Sequence, residues 1–253
     1  QSPKQVSICT CFARVSLHCP VAGNMSRKVW SSEEGGKEYL AHYDASAEGA
    51  DREFADAFGP GITFSSIMSE ALEALELDAS TAKILEVGCN AGNKLAALAK
   101  LGCPSSNLYG VDLSPLAVEK ARELLPGATI TCVPEDDPFS YSFEGVSIDL
   151  VFCCATLAHV PLSGRPEFFA KPAALGARFF GFVEGISPGP SELEFMGWRF
   201  LHDDWLAVAA DQPSLGRLVH RRRLDYATDE ARQMFEPSTH EFLCIHEVKQ
   251  QDA

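Results

Sequence analysis

The sequence lacks the long apolar run that a membrane-spanning helix requires. Its 253 residues contain no stretch of about 18 to 20 apolar side chains. Basic residues are also few, since 21 Lys and Arg stand against 35 Asp and Glu and leave a net charge of −14. Such a surface repels the phosphates of nucleic acids and of anionic membranes. These absences favour a soluble protein whose partner is a small molecule, and they disfavour nucleic acid and membrane partners.

The sequence also lacks a repeated CxxC pair, although it contains nine cysteines. Cys9, Cys11 and Cys19 have no fourth ligand at a spacing typical of structural zinc, so we expect no metal site. Several of the other cysteines lie in apolar stretches. Free cysteine packs as a small hydrophobe, and this pattern is typical of reduced thiols in an intracellular protein.

Acidic residues are absent from the first 32 positions, which carry basic residues and serines instead. This composition is typical of a targeting segment or of a disordered tail. We therefore expect residues 1–29 to be a leader or tail and residues 30–253 to form the folded domain. The expected location is intracellular and cytoplasmic, with targeting to an organelle as the alternative.

Short apolar runs alternate with amphipathic stretches through the middle of the chain. A helix is predicted first, at 64–75, because its apolar residues recur at steps of three and four. Such alternation is typical of βαβ units around a parallel sheet, and Ser114 and Pro115 suit the start of a helix. The predicted strands are 82–87, 107–111, 128–133, 148–154, 178–183, 216–220 and 241–248, with helices at 94–101 and 115–125 between the first of them.

The segment ILEVGCNAGNKL reads as a strand, a glycine-containing turn and a helix, which together bring backbone N–H groups to a ligand. The dinucleotide fingerprint G-x-G-x-x-G would need glycine at Asn90 and Asn93. What remains is an acid, Glu86, followed by Gly88, Asn90 and Gly92. Asparagine tolerates the left-handed conformation, so the turn can still be tight. The pattern therefore disfavours a pyrophosphate ligand.

Acidic residues lie at the end of, or just after, each of the first three predicted strands. Glu86 could attract the ammonium of an amino-acid-like ligand. Asp112 ends the second strand, where a carboxylate binds the ribose hydroxyls in nucleoside-binding α/β proteins. Glu135, Asp136 and Asp137 follow the third strand and could accept a hydrogen bond from an adenine amino group. The order of these acids favours a ligand that joins an amino acid to a nucleoside.

Three motifs, ILEVGCNAGNKL, LYGVDLSPLAVEKAR and DLVFCCATLAHV, resemble those of the class I S-adenosylmethionine-dependent methyltransferases. The resemblance extends over about residues 30–248. It implies an α/β, Rossmann-like fold, with a seven-stranded and mostly parallel sheet, helices on both faces and an antiparallel last strand. The GCNxGN loop, VWSSEEGGKEYLAHYDAS and SPGPSELEFMGWRFLHDDW look like the pseudaminic acid biosynthesis-associated methylases.

The resemblance implies S-adenosyl-L-methionine as cofactor. It places one group of residues around the methionine part, a second at the ribose and adenine, and a tyrosine, Tyr39 or Tyr43, on a helix that closes over the site. The implied cofactor-binding residues are Tyr39, Glu86, Gly88, Cys89, Asn90, Gly92, Asp112, Leu113, Glu135, Asp136, Cys154 and Ala155.

The catalytic group is less clearly marked. His159, just after the fourth strand, is either a general base or a packing residue, and Glu184 and Asp203 are weaker candidates. The Gly- and Pro-rich stretch 184–205 is expected to face the substrate. The predicted function is methyl transfer to an oxygen or nitrogen of a small polar metabolite. The alternative is a cofactor-binding subunit without catalysis, and a homodimer remains open.

Overall fold

The structure is a computed structural model. It describes Lys37 and Leu40 together with residues 44–186, 191–195, 198–227 and 240–250. The predicted leader and both candidate tyrosines, Tyr39 and Tyr43, lie outside the described residues.

Six helices lie within the described ranges, and side-chain caps begin several of them. Ser46, Thr63 and Ser114 each accept a hydrogen bond from the backbone N–H three residues on. Ser114 is followed by Pro115, whose missing N–H is not needed in the first turn, so the predicted helix start is confirmed. The helices are α1 (Ala47–Phe58), α2 (Phe64–Ala74), α3 (Asn93–Lys100), α4 (Pro115–Leu124), α5 (Arg165–Ala174) and α6 (Trp205–Ala210).

Seven of the nine described strands form one sheet in the order β3-β2-β1-β4-β5-β9-β8. The pairs among β1 to β5 are parallel, whereas β9 is antiparallel to both β5 and β8. The predicted fold class, including the antiparallel last strand, is confirmed. The strands are β1 (Ile84–Val87), β2 (Leu108–Asp112), β3 (Thr129–Cys132), β4 (Leu150–Cys154), β5 (Phe179–Ile186), β6 (Ser191–Phe195), β7 (Trp198–His202), β8 (Leu215–Leu224) and β9 (His240–Val248).

Both faces of the sheet are covered by buried apolar side chains. Helices α1 to α4 pack on one face, where the ring of Phe64 lies 6.1 Å from that of Phe152 on β4. Helices α5 and α6 pack on the other, where Phe169 meets Phe180 edge to face. Burial on both sides explains why β1, β2 and β4 are mostly apolar rather than alternating, whereas the edge strand β3 is partly exposed. The polar residues that remain at the strand ends therefore mark the edge where a ligand can bind.

The stretch 184–205 contains a hairpin of its own, formed by β6 and β7, which pair with each other. Asp203, just after the hairpin, bridges to Ile186 at the end of β5. Its Oδ2 also accepts from Nη1 of Arg165 at 2.5 Å, and that guanidinium lies 4.4 Å above the ring of Trp205. The base of the hairpin is thus tied to the start of α5. None of the helices in the described ranges has the length and apolarity needed to cross a membrane.

Candidate active site

The loop after β1 turns through three residues with positive φ. Gly88, Asn90 and Gly92 have φ of +76°, +48° and +82°. The N–H groups of Gly88 and Cys89 both donate to the carbonyl oxygen of Val111 on β2, at 2.9 and 3.0 Å. The loop is therefore held against the neighbouring strand, and the left-handed asparagine expected from the sequence is observed.

Gly88 also permits a close approach between two strand ends. A Cβ atom at this position would lie 2.5 Å from Oγ1 of Thr156, in the turn after β4. That hydroxyl donates to the carbonyl oxygen of Val87 at 3.2 Å and so ties the two turns together. Glycine is required here on two grounds, its conformation and the space available.

Glu86 is a buried carboxylate with an unpaired oxygen. Its residue is 1% exposed, and Oε2 has no hydrogen-bond partner within the described part of the chain. Burial raises the pKa of Glu86 to about 8. The positive charge of Lys94 lowers this pKa in part, whereas the negative charges of Asp112 and Glu53 raise it further. A cation placed beside Oε2 would restore the ionised form, because an opposite charge lowers the pKa of an acid.

Asp112 ends β2 and is bound by the loop. Its Oδ2 accepts from the N–H of Asn90 and its Oδ1 from the N–H of Ser114, both at 2.8 Å. Burial raises the pKa of Asp112, and these N–H groups act against that shift. Because a carboxylate oxygen can accept more than one hydrogen bond, both oxygens keep capacity for hydroxyl donors. The neighbouring Leu113 is partly buried beside this carboxylate.

The residues expected near an adenine follow β3. Glu135 is partly buried, whereas Asp136 and Asp137 are exposed. Cys89, in contrast, is buried in the middle of the first loop, and burial raises its thiol pKa well above the usual value. A nucleophilic cysteine needs a lowered pKa, so Cys89 serves as a small packing residue, as expected.

Two further predicted residues lie at the end of β4. Cys154 is partly buried, and Ala155 is exposed with φ of +52°. The N–H of Ala155 donates to the carbonyl oxygen of Val183 on β5 at 3.0 Å. The strand end is therefore pinned in a conformation that a non-glycine residue rarely adopts, a feature that clusters at functional sites.

Glu184 fixes the turn after β4 from the adjacent strand. Its residue is 3% exposed, and Oε1 accepts from the N–H of Thr156 at 2.5 Å and from the N–H of Leu157 at 2.6 Å. Burial raises its pKa to about 8, despite these two donors. The sequence marks Glu184 only as a weak base candidate, because its contact with the turn depends on the pairing of β4 with β5.

His159 ends a short 3₁₀ turn, Leu157–His159, that follows β4. Burial lowers its pKa to about 4, so the ring is neutral at neutral pH. A neutral imidazole can accept a proton, but the same burial opposes the charged form that results. The structure therefore places His159 near the strand end and favours hydrogen bonding over full proton transfer.

Four charged or polar residues at the same edge were not predicted for the site. Lys94 of α3 has its Nζ 3.7 Å from Oε2 of Glu53 on α1. Tyr226, after β8, donates from its hydroxyl to Oε2 of Glu241 on β9. These four residues come from four separate elements, so only the packing of the fold brings them together.

Residues 84–175 match a family model described as a methyltransferase domain. This segment is therefore similar to methyltransferase domains. It extends from β1 to the end of α5 and so contains the glycine loop, Asp112 and the turn after β4. The protein is accordingly an enzyme whose cofactor is S-adenosyl-L-methionine. A search of curated proteins finds no sequence match.

Solved structures with the same fold are named for different activities. One is geranyl diphosphate C-methyltransferase from Streptomyces coelicolor A3(2), at 13% identity and TM-score 0.55, over 73% of this chain and 76% of that one. Another is 1,6-didemethyltoxoflavin-N1-methyltransferase from Burkholderia thailandensis, at 15% identity and TM-score 0.54, over 74% and 77%. A third is the [4+2]-cyclase SpnF, at 13% identity and TM-score 0.56, over 74% and 81%. At these identities the likeness shows the fold.

Proposed function

We propose that this methyltransferase binds its cofactor at the ends of β1, β2 and β4 and methylates an oxygen or nitrogen of a small polar metabolite. The unpaired Oε2 of buried Glu86 carries the proposal. A buried carboxylate oxygen without a partner is unfavourable, and the ammonium of the cofactor's methionine part would supply the missing donor. Among the described residues no donor reaches Oε2 by a hydrogen bond, although the charge of Lys94 acts on the carboxylate.

The other residues fit the remaining parts of the cofactor. The loop of Gly88, Cys89, Asn90 and Gly92 would pass beside the methionine part with little side-chain bulk. Asp112 would accept from the ribose hydroxyls, with Leu113 beside the adenine. The adenine amino group would meet Glu135 or Asp136, and the strand end at Cys154 and Ala155 would border the methionine side. Tyr39 is proposed to close over the cofactor from the segment before α1.

The cofactor supplies a methyl group activated by a sulfonium. The chain then has to hold the acceptor in line with that group and to exclude water, because alignment and desolvation account for most of the rate in such a transfer. The hairpin of β6 and β7, tied to α5, is proposed to border the acceptor. His159 would orient the acceptor by accepting a hydrogen bond, and it would take up a proton only from an acidic hydroxyl.

Enzymes of this fold methylate chemically different acceptors. Solved structures of the same fold are named for a geranyl diphosphate C-methyltransferase and for a toxoflavin-pathway N1-methyltransferase. The sequence resemblance to pseudaminic acid biosynthesis-associated methylases supports a sugar-derived acceptor as a finer hypothesis. The acids at the sheet edge argue against a diphosphate, because like charges repel in a buried site.

One experiment tests the proposed site and the reaction together. S-Adenosylhomocysteine binding is measured by calorimetry for the wild type, Glu86→Gln and the exposed control Glu73→Gln. We expect Glu86→Gln to weaken binding about tenfold or more, since a charge-assisted hydrogen bond contributes about 1.5 to 3 kcal/mol. Labelled S-adenosylmethionine is then incubated with the wild type and a small-molecule extract. If the protein binds the cofactor but transfers no labelled methyl group to any small molecule, the non-catalytic subunit is favoured. If Glu86→Gln binds S-adenosylhomocysteine as tightly as the wild type does, the ammonium site assigned to Glu86 is refuted.

A further inference from the structure

The turn after β4 is bound from β5 at three successive backbone N–H groups. The N–H of Ala155 donates to the carbonyl oxygen of Val183 at 3.0 Å. Oε1 of Glu184 accepts from the N–H of Thr156 at 2.5 Å and from that of Leu157 at 2.6 Å. Two neighbouring residues of one strand therefore hold the start of the turn, and one of them does so with a buried side chain.

Glu184 acts here as a helix cap that is supplied by another strand. The 3₁₀ turn Leu157–His159 begins after Thr156, whose side chain does not cap it within the described part of the chain. The hydroxyl of Thr156 lies instead 3.2 Å from the carbonyl oxygens of Val87 and Cys154. N–H groups at the start of a helical turn need an acceptor, and the carboxylate of Glu184 supplies it.

The conformation of Ala155 shows that these bonds constrain the backbone. Its φ is +52°, in the left-handed region that alanine disfavours. A residue keeps such a conformation only when its surroundings hold it there. The bonds from Val183 and Glu184 lie on the two sides of Ala155, so together they hold it. Loss of the Glu184 carboxylate should release one side and let the turn that leads to His159 shift.

The glycine loop after β1 has separate anchors. The N–H groups of Gly88 and Cys89 donate to the carbonyl oxygen of Val111. Oδ2 of Asp112 accepts from the N–H of the next loop residue at 2.8 Å. These anchors belong to β2, which lies on the opposite side of β1 from β4 and β5. A change at Glu184 should therefore move the turn after β4 more than the loop that borders the cofactor.

We propose that Glu184 is a positioning residue for methyl transfer, which acts on the transfer step through the turn after β4 and leaves cofactor affinity almost unchanged. This inference rests on the proposed function, in which that turn borders the site and His159 orients the acceptor. Methyl transfer depends on alignment, and a displacement of about 1 Å in an aligning group can lower a rate about a hundredfold. A cap that fixes the backbone before His159 therefore controls the rate without touching the reacting atoms.

The test separates the transfer step from cofactor binding. The variants are Glu184→Leu, which removes both acceptor oxygens, and Glu184→Gln, which keeps one. Ala155→Gly is made in the wild type and in Glu184→Leu, because glycine adopts a positive φ about as readily as a negative one. The control is Glu247→Gln, since Glu247 is exposed, pairs with Arg217 and lies opposite the first residue of β5. Melting temperatures show whether each variant folds.

Three quantities are measured for each protein. Calorimetry gives the affinity for S-adenosylhomocysteine. The initial rate of label transfer is measured with saturating labelled S-adenosylmethionine and a small-molecule extract. Hydrogen exchange in the presence of S-adenosylhomocysteine follows the amides of residues 155–160 and, for comparison, those of residues 88–92.

We expect Glu184→Leu to lower the rate about tenfold or more, while the affinity for S-adenosylhomocysteine changes less than about threefold. Amides 155–160 should exchange about tenfold faster, and amides 88–92 should exchange as in the wild type. Glu184→Gln should lower the rate about threefold, because a neutral acceptor makes a weaker hydrogen bond than a charged one. Ala155→Gly should recover part of the rate in Glu184→Leu and should not raise it in the wild type. Glu247→Gln should match the wild type.

A rate that Glu184→Leu leaves unchanged, or an affinity that falls as far as the rate, would overturn the positioning role. A Glu184→Leu rate that Ala155→Gly does not raise would overturn it as well. If Glu184→Leu does not fold, Glu184→Gln decides the question by the same comparison of rate with affinity. If the wild type itself fails to bind S-adenosylhomocysteine or to transfer label, it is the proposed function that fails.

Discussion

At the scale of single residues, Gly88 is constrained both by its positive φ and by the lack of space beside Thr156, and the two effects can be separated by experiment. Gly88→Ala places a Cβ atom 2.5 Å from Oγ1 of Thr156 and keeps a φ of +76° that alanine disfavours. We expect urea denaturation to show a loss of about 2 to 4 kcal/mol in the free energy of unfolding, from strain and overpacking together. Cofactor affinity should also fall, because the loop must shift.

Gly145 provides the matched control for this change. Its φ is +69°, and nothing lies within 4 Å of the position of a Cβ atom. Gly145→Ala should therefore show the strain alone, about 1 to 2 kcal/mol. Adding Thr156→Ala to Gly88→Ala removes the hydroxyl and should recover part of the difference. Equal losses in the two alanine variants would mean that Thr156 does not constrain the loop.

At the scale of elements, Asp112 connects β2 to the loop after β1. Asp112→Asn removes the negative charge and turns one acceptor oxygen into a donor that faces the N–H of Asn90 or Ser114. We expect S-adenosylhomocysteine affinity to fall by about tenfold to a hundredfold in calorimetry, because hydrogen bonds to the ribose and to the loop are lost together. Asp149→Asn is the control, since Asp149 bonds Lys83 and Arg178 at the opposite edge of the sheet. An equal loss in both variants would contradict the assignment.

The pair of Arg165 and Asp203 connects α5 to the β6–β7 hairpin. Both side chains are buried, so Arg165→Met should leave Asp203 as an uncompensated charge and destabilise the protein by about 3 kcal/mol. The double variant with Asp203→Leu should be more stable than Arg165→Met, because both charges are then removed. Arg178→Met breaks a more exposed pair and should change stability by less than about 1 kcal/mol. A double variant that is less stable than Arg165→Met would show that the pair does not act through burial of charge.

The sequence predicts the fold best where an apolar run reflects the burial of a strand. Strands β1, β2 and β4 are mostly apolar because both faces of the sheet are covered, so their apolar runs could be recognised from the sequence. The acids near the carboxyl ends of β1 and β2, Glu86 and Asp112, could be recognised as well. The β6–β7 hairpin lies in a Gly- and Pro-rich stretch without periodicity and was predicted only as an excursion. Glu184 and Phe242 become neighbours through the antiparallel pairing of β9 with β5, which no local pattern reveals.

At the scale of the whole molecule, the buried acids make stability depend on pH. Glu86 and Glu184 have pKa values raised to about 8 by burial, whereas in the unfolded chain they ionise near 4.5. Between these values the folded state holds more protons than the unfolded state, so stability falls as pH rises. Burial lowers the pKa of three histidines, which act in the opposite direction below about 6.5. They are His159, His220 and His246. The window from pH 6.5 to 8 therefore isolates the carboxyls.

We expect the free energy of unfolding of the cofactor-free protein to fall over that window. Each carboxyl contributes at most about 2 kcal/mol, since one pKa unit corresponds to about 1.4 kcal/mol. Urea denaturation at pH 6.5, 7.2 and 8 measures the slope. The double variant Glu86→Gln with Glu184→Gln should reduce the slope strongly and leave the part that Asp112 and Glu241 contribute, since burial raises the pKa of these carboxyls as well. S-Adenosylhomocysteine should also flatten the slope in the wild type, because its ammonium favours ionised Glu86. If the double variant leaves the slope unchanged, groups other than Glu86 and Glu184 cause the pH dependence. If S-adenosylhomocysteine leaves the wild-type slope unchanged, its ammonium does not bind beside Glu86.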